Sequence, residues 1–173
     1  SQAIAHDPDV LAAGRSVVRV LSTACGLGIE GSGWAVAPGL IVTNAHVVAG
    51  ADDTTVTTQD GAELAATPVF YDVHDDLALL RVGADVPVLS ISSSRRPVGA
   101  AAAVLGYPEN GPYALSPARI GETRETISED SYGRGPVDRT IVSLGGSVRS
   151  GNSGGPLVDA AGRVVGTVFA TTT

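Results

Sequence analysis

Short runs rich in Val, Ile, Thr and Leu recur along the whole chain of 173 residues, with Gly, Pro, Asp and Ser between them. This pattern is typical of a β-barrel or β-sandwich, because β-branched residues favour strands and the separating residues favour turns. Six runs lie before a polar stretch at 87–99 and five lie after it, which predicts an all-β fold in two parts. The runs cover 17–21, 33–37, 40–43, 54–58, 64–69, 77–82, 101–105, 116–120, 140–144, 156–158 and 164–169.

Two polar stretches interrupt these predicted strands. The first contains the segment SSSRRP at 92–97 and favours a linker. It divides the chain into an N-terminal tail (1–14), an N-terminal β-barrel (15–88), a linker (89–98) and a C-terminal β-barrel (99–173). The second stretch, 121–137, is long, polar and glycine-containing, and we interpret it as a mobile surface loop. Residues 9–14 fit one short helical turn.

The segment 151–157, GNSGGPL, places a serine in a glycine-rich turn. A serine hydroxyl is a poor nucleophile at neutral pH, so it needs an adjacent base and fixed dipoles that stabilise the charge developing on the substrate. Glycines permit positive φ and let neighbouring N–H groups point to one place. We therefore predict Ser153 as a nucleophile and the amides of Gly151 and Ser153 as an oxyanion hole. A glycine-rich turn with an incidental serine is the alternative that this segment alone leaves open.

A histidine and a pair of aspartates provide the other groups that such a serine requires. His46 ends an apolar run and precedes residues with turn composition, which predicts a strand end where the ring can face a cleft. Asp75 and Asp76 open the next apolar run, and a carboxylate there can accept the Nδ1–H of a histidine and stabilise its imidazolium. One of the two aspartates is expected in a solvated turn, and His74 beside them is expected to face solvent. Taken singly, His46 fits a packed core residue at least as well.

The three segments follow one another in the order histidine, aspartate, serine, which is the chain order of chymotrypsin-type enzymes. The segments TNAH at 43–46, DLALL at 76–80 and GNSGGPL at 151–157 resemble the three signature segments of the trypsin-like serine proteases. VLGYP at 104–108 is also similar to a segment common in the bacterial HtrA group of that family. The arrangement is most similar to the mycobacterial acid-resistance periplasmic proteases, over residues 17–170.

The resemblance implies two six-stranded antiparallel β-barrels of the chymotrypsin/trypsin type, with the active site in the cleft between them. It implies a serine endopeptidase that forms an acyl-enzyme: Ser153 attacks, His46 acts as general base and then acid, and Asp76 rather than Asp75 orients His46. Polypeptides are then the substrates, no cofactor is needed, and the compartment is extracytoplasmic: periplasm, cell envelope or secreted. Protein processing or quality control is the expected role.

Substrate-binding positions also follow from the resemblance. Ser147, six positions before the nucleophile, corresponds to the base of the pocket for the side chain that precedes the scissile bond. Phe169, Ala170 and Thr171 correspond to one wall and to the ledge for the substrate backbone, although Phe169 fits a plain core position equally well. A cation above a neutral Ser147 would lose hydration without gaining a partner charge. We expect uncharged, small-to-medium apolar residues before the cut.

Two alternative functions stay open at this point. An intact-looking but inactive protease fold used as a binding or regulatory module is the first, because a collapsed oxyanion loop would leave the triad idle. An esterase that shares the acyl chemistry is the second. Asn152 stands where many secreted members carry an aspartate that pairs with a newly released N-terminus. A neutral amide cannot form that ion pair, so we do not expect activation by N-terminal insertion.

Composition argues against several other classes of protein. The formal charge is −7, and all 11 cationic residues are arginines without any basic run, which disfavours a nucleic-acid partner. No uninterrupted apolar stretch approaches the ~20 residues of a membrane helix, so we expect this chain not to span a membrane, although the full-length protein could still be anchored to one. Cys and His residues show no zinc-type spacing, and we predict no metal.

Cys25 is the single cysteine, so it cannot form a disulfide within this chain. A buried thiol is the default for this residue type. The resemblance offers another possibility, in which Cys25 pairs with a cysteine beyond residue 173. The absence of methionine predicts a processed form or a piece of a longer product. The resemblance likewise implies a sixth strand and a C-terminal helix after the last residue of this chain.

Overall fold

The computed structural model describes residues 2–130, 132–146 and 148–169, and most of its regular structure is β. The strands are β1 (Val17–Ala24), β2 (Leu27–Ala37), β3 (Leu40–Thr43), β4 (Asp53–Thr57), β5 (Glu63–Asp72), β6 (Leu77–Val82), β7 (Ala101–Gly106), β8 (Ala114–Ser128), β9 (Val137–Gly145), β10 (Pro156–Val158) and β11 (Val164–Thr167). Two short α-helices, α1 (Pro8–Ala13) and α2 (Ala45–Val48), and three 3-10 turns (Gln2–His6, Gly14–Ser16 and Pro108–Asn110) complete the regular structure of the described residues.

Every predicted strand overlaps an observed one, and the all-β prediction is confirmed. The predicted loop at 121–137 is wrong, because β8 continues to Ser128 and pairs with β9 from Thr123 opposite Val142 to Ser128 opposite Val137. Side chains on both faces of this part of β8 are exposed or half-buried. The segment therefore lacks the alternation of apolar and polar residues by which a strand is recognised in a sequence.

The first six strands close into an antiparallel barrel in the order β1-β2-β3-β6-β5-β4. Its core consists of small aliphatic side chains, among which Val20, Ile41, Val56 and Leu80 are fully buried. Successive residues of a strand face opposite sides of the sheet, so Val20 points inward while the next residue, Leu21, is exposed.

The other five strands form a curled antiparallel sheet in the order β11-β10-β7-β8-β9. The two edge strands of this sheet in the described part of the chain are β9 and β11. A groove of about 700 Å³ lies between them and is lined in part by Ile141, Val165 and Phe169. The described fold is thus a closed barrel followed by a half-barrel.

The N-terminal segment, predicted as a tail, packs between the two parts over its described residues. Asp7 caps α1 by accepting a hydrogen bond from the N–H of Asp9 at 2.9 Å, and proline occupies the first turn, where its missing N–H is not needed. Ile4 and Val10 are buried in the same cluster as Trp34 of the first barrel and Leu105 of the half-barrel. This segment therefore contributes to the core that joins the two parts.

The expectation of a buried thiol at Cys25 is wrong, because the side chain is exposed. Cys25 and Gly26 form the two-residue turn between β1 and β2, with φ values of 51° and 75°. Positive φ at both central residues is characteristic of the type I′ turn that suits the twist of a hairpin. No helix among the described residues is long and apolar enough to cross a membrane.

Candidate active site

His46 and Asp76 meet where β3 and β6 lie side by side. His46 belongs to the one-turn helix α2, which begins two residues after β3, and not to the strand end itself. The Asp76 carboxylate contacts this residue twice: Oδ1 accepts from the backbone N–H of His46 at 2.8 Å, and Oδ2 lies 2.6 Å from Nδ1. Since an ionised carboxylate can only accept, the proton of a neutral His46 is assigned to Nδ1, which leaves Nε2 as the acceptor.

The backbone around Asp76 explains why this aspartate and not its neighbour reaches His46. Asp76 has a φ of 56°, and its carbonyl oxygen accepts from the N–H of Ala45 at 3.2 Å and from Nδ2 of Asn44 at 2.9 Å. Its side chain is 4% exposed. The side chain of Asp75 is 59% exposed and lies 3.2 Å from the exposed imidazole of His74. The turn thus directs one carboxylate towards α2 and the other into solvent.

Ser153 lies in a turn of residues 150–155, which we call the serine turn, between β9 and β10. Gly151 and Gly154 both have a φ of 91°, a conformation that glycine adopts without strain. A Cβ atom on Gly151 would lie 2.6 Å from the carbonyl oxygen of Tyr107 and 2.7 Å from the backbone nitrogen of Glu109. The glycine at 151 is therefore required by its φ and by the close approach of the chain after β7.

The carbonyl oxygens of residues 150–153 are all held by hydrogen bonds. Ser150 accepts from the N–H of Glu109 at 2.6 Å, Gly151 from Oγ of Ser32 at 2.7 Å, Asn152 from the N–H of Gly155 at 2.9 Å, and Ser153 from the N–H of Ser32 at 2.8 Å. Because C=O and N–H point in opposite directions in a trans peptide, the first and third of these bonds direct the N–H groups of Gly151 and Ser153 the other way.

Within the described part of the chain, the N–H groups of Gly151 and Ser153 have no acceptor. The other three N–H groups between 151 and 155 do have one: Asn152 donates to Arg149, Gly154 to Val168 and Gly155 to Asn152. The two groups without an acceptor are the pair predicted to form the oxyanion hole. One belongs to Ser153 itself and the other lies two residues before it, and such a pair can bind an oxygen atom that carries negative charge.

Hydrogen bonds through Ser32 connect the serine turn to the end of β3, just before His46. Ser32 donates its N–H to Ser153, and the carbonyl oxygen of Ser32 accepts from Oγ1 of Thr43 at 2.8 Å. Among the described residues, no hydrogen bond joins the hydroxyl of Ser153 to His46, whose side chain is 39% exposed. Such bonds are often long in unliganded enzymes and tighten when substrate binds.

Of the predicted substrate-binding residues, Ser147, Ala170 and Thr171 lie outside the described residues, and Phe169 is half-buried. The residue before it, Val168, exchanges two backbone hydrogen bonds with the serine turn, at 2.7 and 2.9 Å. The Phe169 ring centre is 5.4 Å from the guanidinium carbon of Arg139. Phe169 therefore emerges from a segment that the serine turn holds in place.

Ser32 and Glu109 are missing from the site that the sequence predicts, although both bond directly to the serine turn. The available signal was the segment GSG at 31–33, a hydroxyl between two glycines directly before the apolar segment WAVA. Glu109 gave no signal, because it acts through its backbone N–H. In the part of the chain that the structure describes, no group of three or more His, Cys, Asp or Glu side chains is arranged to hold a metal ion.

Comparisons with known proteins agree with this geometry. Residues 31–166 match the family model described as a trypsin-like peptidase domain. Over 171 residues, or 96% of this chain, the sequence is 40% identical to serine protease Rv3671c of Mycobacterium tuberculosis. Over 139 residues, or 79% of the chain, it is 38% identical to a probable periplasmic serine endoprotease, DegP-like, of Halomonas elongata. The matches span 43% and 28% of these two relatives, so this chain covers less than half of either one.

Solved structures of the mycobacterial relative show the same fold. The active form of the Rv3671c protease from M. tuberculosis gives a TM-score of 0.94 at 39% identity, covering 99% of this chain and 77% of that one. The inactive form gives a TM-score of 0.87 at 38% identity, with coverages of 98% and 84%. The closed barrel and the half-barrel thus have the chymotrypsin-type arrangement that the sequence motifs imply.

Proposed function

Because the chain belongs to the trypsin-like peptidase family, we propose that it is a serine endopeptidase with His46, Asp76 and Ser153 as its catalytic triad. One observation carries this proposal: the carboxylate of Asp76 contacts His46 at two points, beside a serine turn in which the N–H groups of Gly151 and Ser153 have no acceptor among the described residues. The family assignment supplies the reaction class, and the geometry supplies a role for each residue.

In the first half of the reaction, Oγ of Ser153 attacks the carbonyl carbon of the scissile bond and its proton passes to Nε2 of His46. Asp76 stabilises the imidazolium that forms, and the N–H groups of Gly151 and Ser153 bind the oxyanion of the tetrahedral intermediate. The intermediate collapses when the C–N bond breaks and His46 transfers its proton to the leaving amine. The acyl group is then an ester of Ser153.

Water completes the reaction by the same steps in reverse order. His46 removes a proton from a water molecule as the water oxygen attacks the ester carbonyl carbon, and the two N–H groups bind the second oxyanion. His46 then returns the proton to Oγ of Ser153 as the C–O bond breaks. The products are two peptides, one with a new carboxylate and one with a new amine, and the enzyme is restored.

We further propose that the substrates are polypeptides outside the cytoplasm. The Halomonas relative is named a probable periplasmic serine endoprotease, which supports an extracytoplasmic role in protein processing or quality control. An inactive binding module is the second candidate. Both relatives described above are named as proteases, which favours the enzyme.

Labelling with a fluorophosphonate probe tests the proposal. We expect the purified protein to be labelled at Ser153, and Ser153→Ala to abolish labelling and lower peptide turnover by roughly four to six orders of magnitude. Ser93→Ala is the matched control, since Ser93 is exposed and lies in the segment between the two parts. A folded protein that is never labelled would support the binding module. Labelling together with hydrolysis of esters but not of peptides would support an esterase.

A further inference from the structure

We propose that Ser32 is a positioning residue of the oxyanion hole. Its hydroxyl and its amide hold the serine turn in the conformation in which the N–H groups of Gly151 and Ser153 face the substrate. This inference rests on the endopeptidase function proposed above. It extends that function, because the two oxyanion-binding N–H groups are then positioned by a side chain on β2, in the barrel that does not contain Ser153.

Ser32 is fully buried, and all three of its polar groups are used. Its N–H donates to the carbonyl oxygen of Ser153 at 2.8 Å, and its own carbonyl oxygen accepts from Thr43 at 2.8 Å. Its hydroxyl oxygen lies 2.7 Å from the carbonyl oxygen of Gly151 and 2.9 Å from the backbone nitrogen of Tyr107. One residue of the first barrel thus contacts the half-barrel at three separate points.

The direction of each hydroxyl bond follows from its partners. The N–H of Tyr107 can only donate, so Oγ of Ser32 accepts from it. The single hydroxyl proton is then free for the carbonyl oxygen of Gly151, which can only accept. A chain of hydrogen bonds therefore runs from the segment after β7, through Ser32, to the serine turn.

These hydrogen bonds determine the backbone conformation of Gly151. Glycine has no side chain to restrict φ and ψ, so its conformation depends on what holds the peptides on either side. The peptide before Gly151 is held by the N–H of Glu109, and the peptide after it is held by the Ser32 hydroxyl. Without the second bond the glycine can rotate, and its N–H no longer points steadily at the oxyanion.

The space around Ser32 fits this role. A Cβ atom on Gly106, at the end of β7, would lie 2.9 Å from Oγ of Ser32 and 2.6 Å from Oδ1 of Asn152. Only a residue without a side chain at 106 leaves room for the Ser32 hydroxyl to reach both of its partners. The presence of glycine in the VLGYP segment is thus explained, because Gly106 leaves space for the hydroxyl that holds the serine turn.

Loss of the hydroxyl should affect turnover more than substrate binding. The oxyanion is fully developed only in the transition state, so weaker N–H positioning lowers kcat and leaves KM nearly unchanged. Deleting a direct oxyanion donor costs about 10²–10³ in kcat. Both donors remain in Ser32→Ala, so we expect a smaller loss, of roughly 10- to 100-fold in kcat.

Ser22→Ala is the matched control for Ser32→Ala. Ser22 lies on β1 of the same barrel and is equally buried. Its hydroxyl lies 3.1 Å from Oγ1 of Thr54 and makes no hydrogen bond to the described residues of the serine turn. The substrate is a leucine p-nitroanilide peptide, and the transition-state probe is the corresponding peptide aldehyde, whose adduct places an oxyanion in the hole. We expect both variants to lose similar thermal stability, but only Ser32→Ala to lose kcat and aldehyde affinity in parallel.

A second variant and a second measurement keep the inference testable in every case. If Ser32→Ala does not fold, Ser32→Cys retains a similar volume with a weak donor and should show an intermediate loss of kcat. Amide NMR spectra should show the Gly151 and Ser153 signals shifting in Ser32→Ala and not in Ser22→Ala. Equal kcat in the two variants, or unchanged Gly151 and Ser153 signals, overturns the inference. If the parent chain is never labelled by fluorophosphonate, the endopeptidase proposal fails, and the NMR comparison alone decides the role of Ser32.

Discussion

Arg139 in the half-barrel donates a hydrogen bond from Nε to the carbonyl oxygen of His74 in the first barrel, at 2.6 Å. It also donates from a terminal nitrogen to the carbonyl oxygen of Val73, and its guanidinium lies over the ring of Phe169. The residue is 8% exposed and makes no ion pair with a described carboxylate. Carbonyl dipoles and an aromatic face therefore stabilise the positive charge of Arg139. Through these contacts the Arg139 side chain links the turn before Asp76 to the segment predicted to bind substrate.

Arg139→Met should lower stability and activity together. Methionine keeps most of the apolar stem but removes the charged donor to the carbonyl oxygens of His74 and Val73, which we expect to cost about 1–3 kcal/mol of the free energy of unfolding. Urea unfolding would measure this loss, with Arg124→Met as the control, because Arg124 is exposed on the neighbouring strand β8. Arg139→Lys should not restore stability, since an ammonium cannot donate in the same planar fork. Equal midpoints for the Met and control variants would contradict the role of Arg139.

The two adjacent aspartates offer a sharper test of the triad. Asp76→Asn retains the shape of the side chain, but an amide next to Nδ1 can favour the wrong tautomer of His46, and activity near neutral pH should fall by roughly 10⁴. Asp75→Asn should be mild, because that carboxylate is exposed and pairs with no described group except the exposed imidazole of His74. Steady-state kinetics on both variants would decide. The reverse ranking would mean that the aspartate is assigned one residue out of register.

The strands were largely predictable, because most of them bury one face and show it as runs of β-branched residues. The extension of β8 from residue 121 to Ser128 was not, since side chains on both of its faces are exposed or half-buried and, in the described structure, it pairs only with β9. The exposure of Cys25 was missed for a related reason. Cysteine is rare in a type I′ turn, so nothing in the local composition marked a hairpin there.

The candidate site was predictable where side chains carry the chemistry. His46, Asp76 and Ser153 stand in recognisable segments, and two of them prove to be in contact. What holds the serine turn was not predictable, because the contacts involve the backbone of Glu109 and a hydroxyl 119 residues away in sequence, on Ser32. No local pattern reports which distant strand a carbonyl oxygen will meet.

Tyr113 provides a prediction about stability that is independent of the triad. Its hydroxyl is buried without a hydrogen-bond partner in the described structure, and burial strongly raises its pKa. Tyr113→Phe removes the unsatisfied group and should stabilise the fold by up to about 1 kcal/mol. Tyr107→Phe is the control, because burial also raises the pKa of Tyr107 but its hydroxyl lies 3.5 Å from the carbonyl oxygen of Val17. In thermal unfolding near neutral pH, the Tyr113→Phe variant should therefore have a higher unfolding temperature than the Tyr107→Phe variant.

The pKa of Tyr113 also predicts behaviour in alkali. Unfolding releases Tyr113 to its ordinary pKa of about 10, where it loses a proton that the folded chain keeps. The unfolded state is therefore favoured as pH rises above about 10, and stability falls with pH. Tyr113→Phe should make this fall less steep in urea titrations between neutral pH and pH 11. An identical slope in parent and variant would contradict the buried, neutral state of this phenol.

Substrate preference is the remaining prediction, and it rests on Ser147 by resemblance to the family. The resemblance implies that Ser147 lies at the base of the pocket, where its neutral hydroxyl would offer no partner for a cation, so we expect uncharged, small-to-medium apolar residues before the cut. Phe169 is the predicted wall residue that the structure describes, and its ring lies 5.4 Å from the guanidinium carbon of Arg139. Cleavage of a peptide library, read by mass spectrometry, would give the preference directly.

A designed change of charge makes the same prediction stronger. Ser147→Asp should create cleavage after Arg or Lys, because the new carboxylate supplies the missing partner for a buried cation. Ser94→Asp adds the same charge at an exposed position between the two parts and should leave the profile unchanged. Dominant cleavage after Arg or Lys by the parent chain would show that another acidic residue shapes the pocket. An unchanged profile for Ser147→Asp would show that residue 147 does not lie at the pocket base.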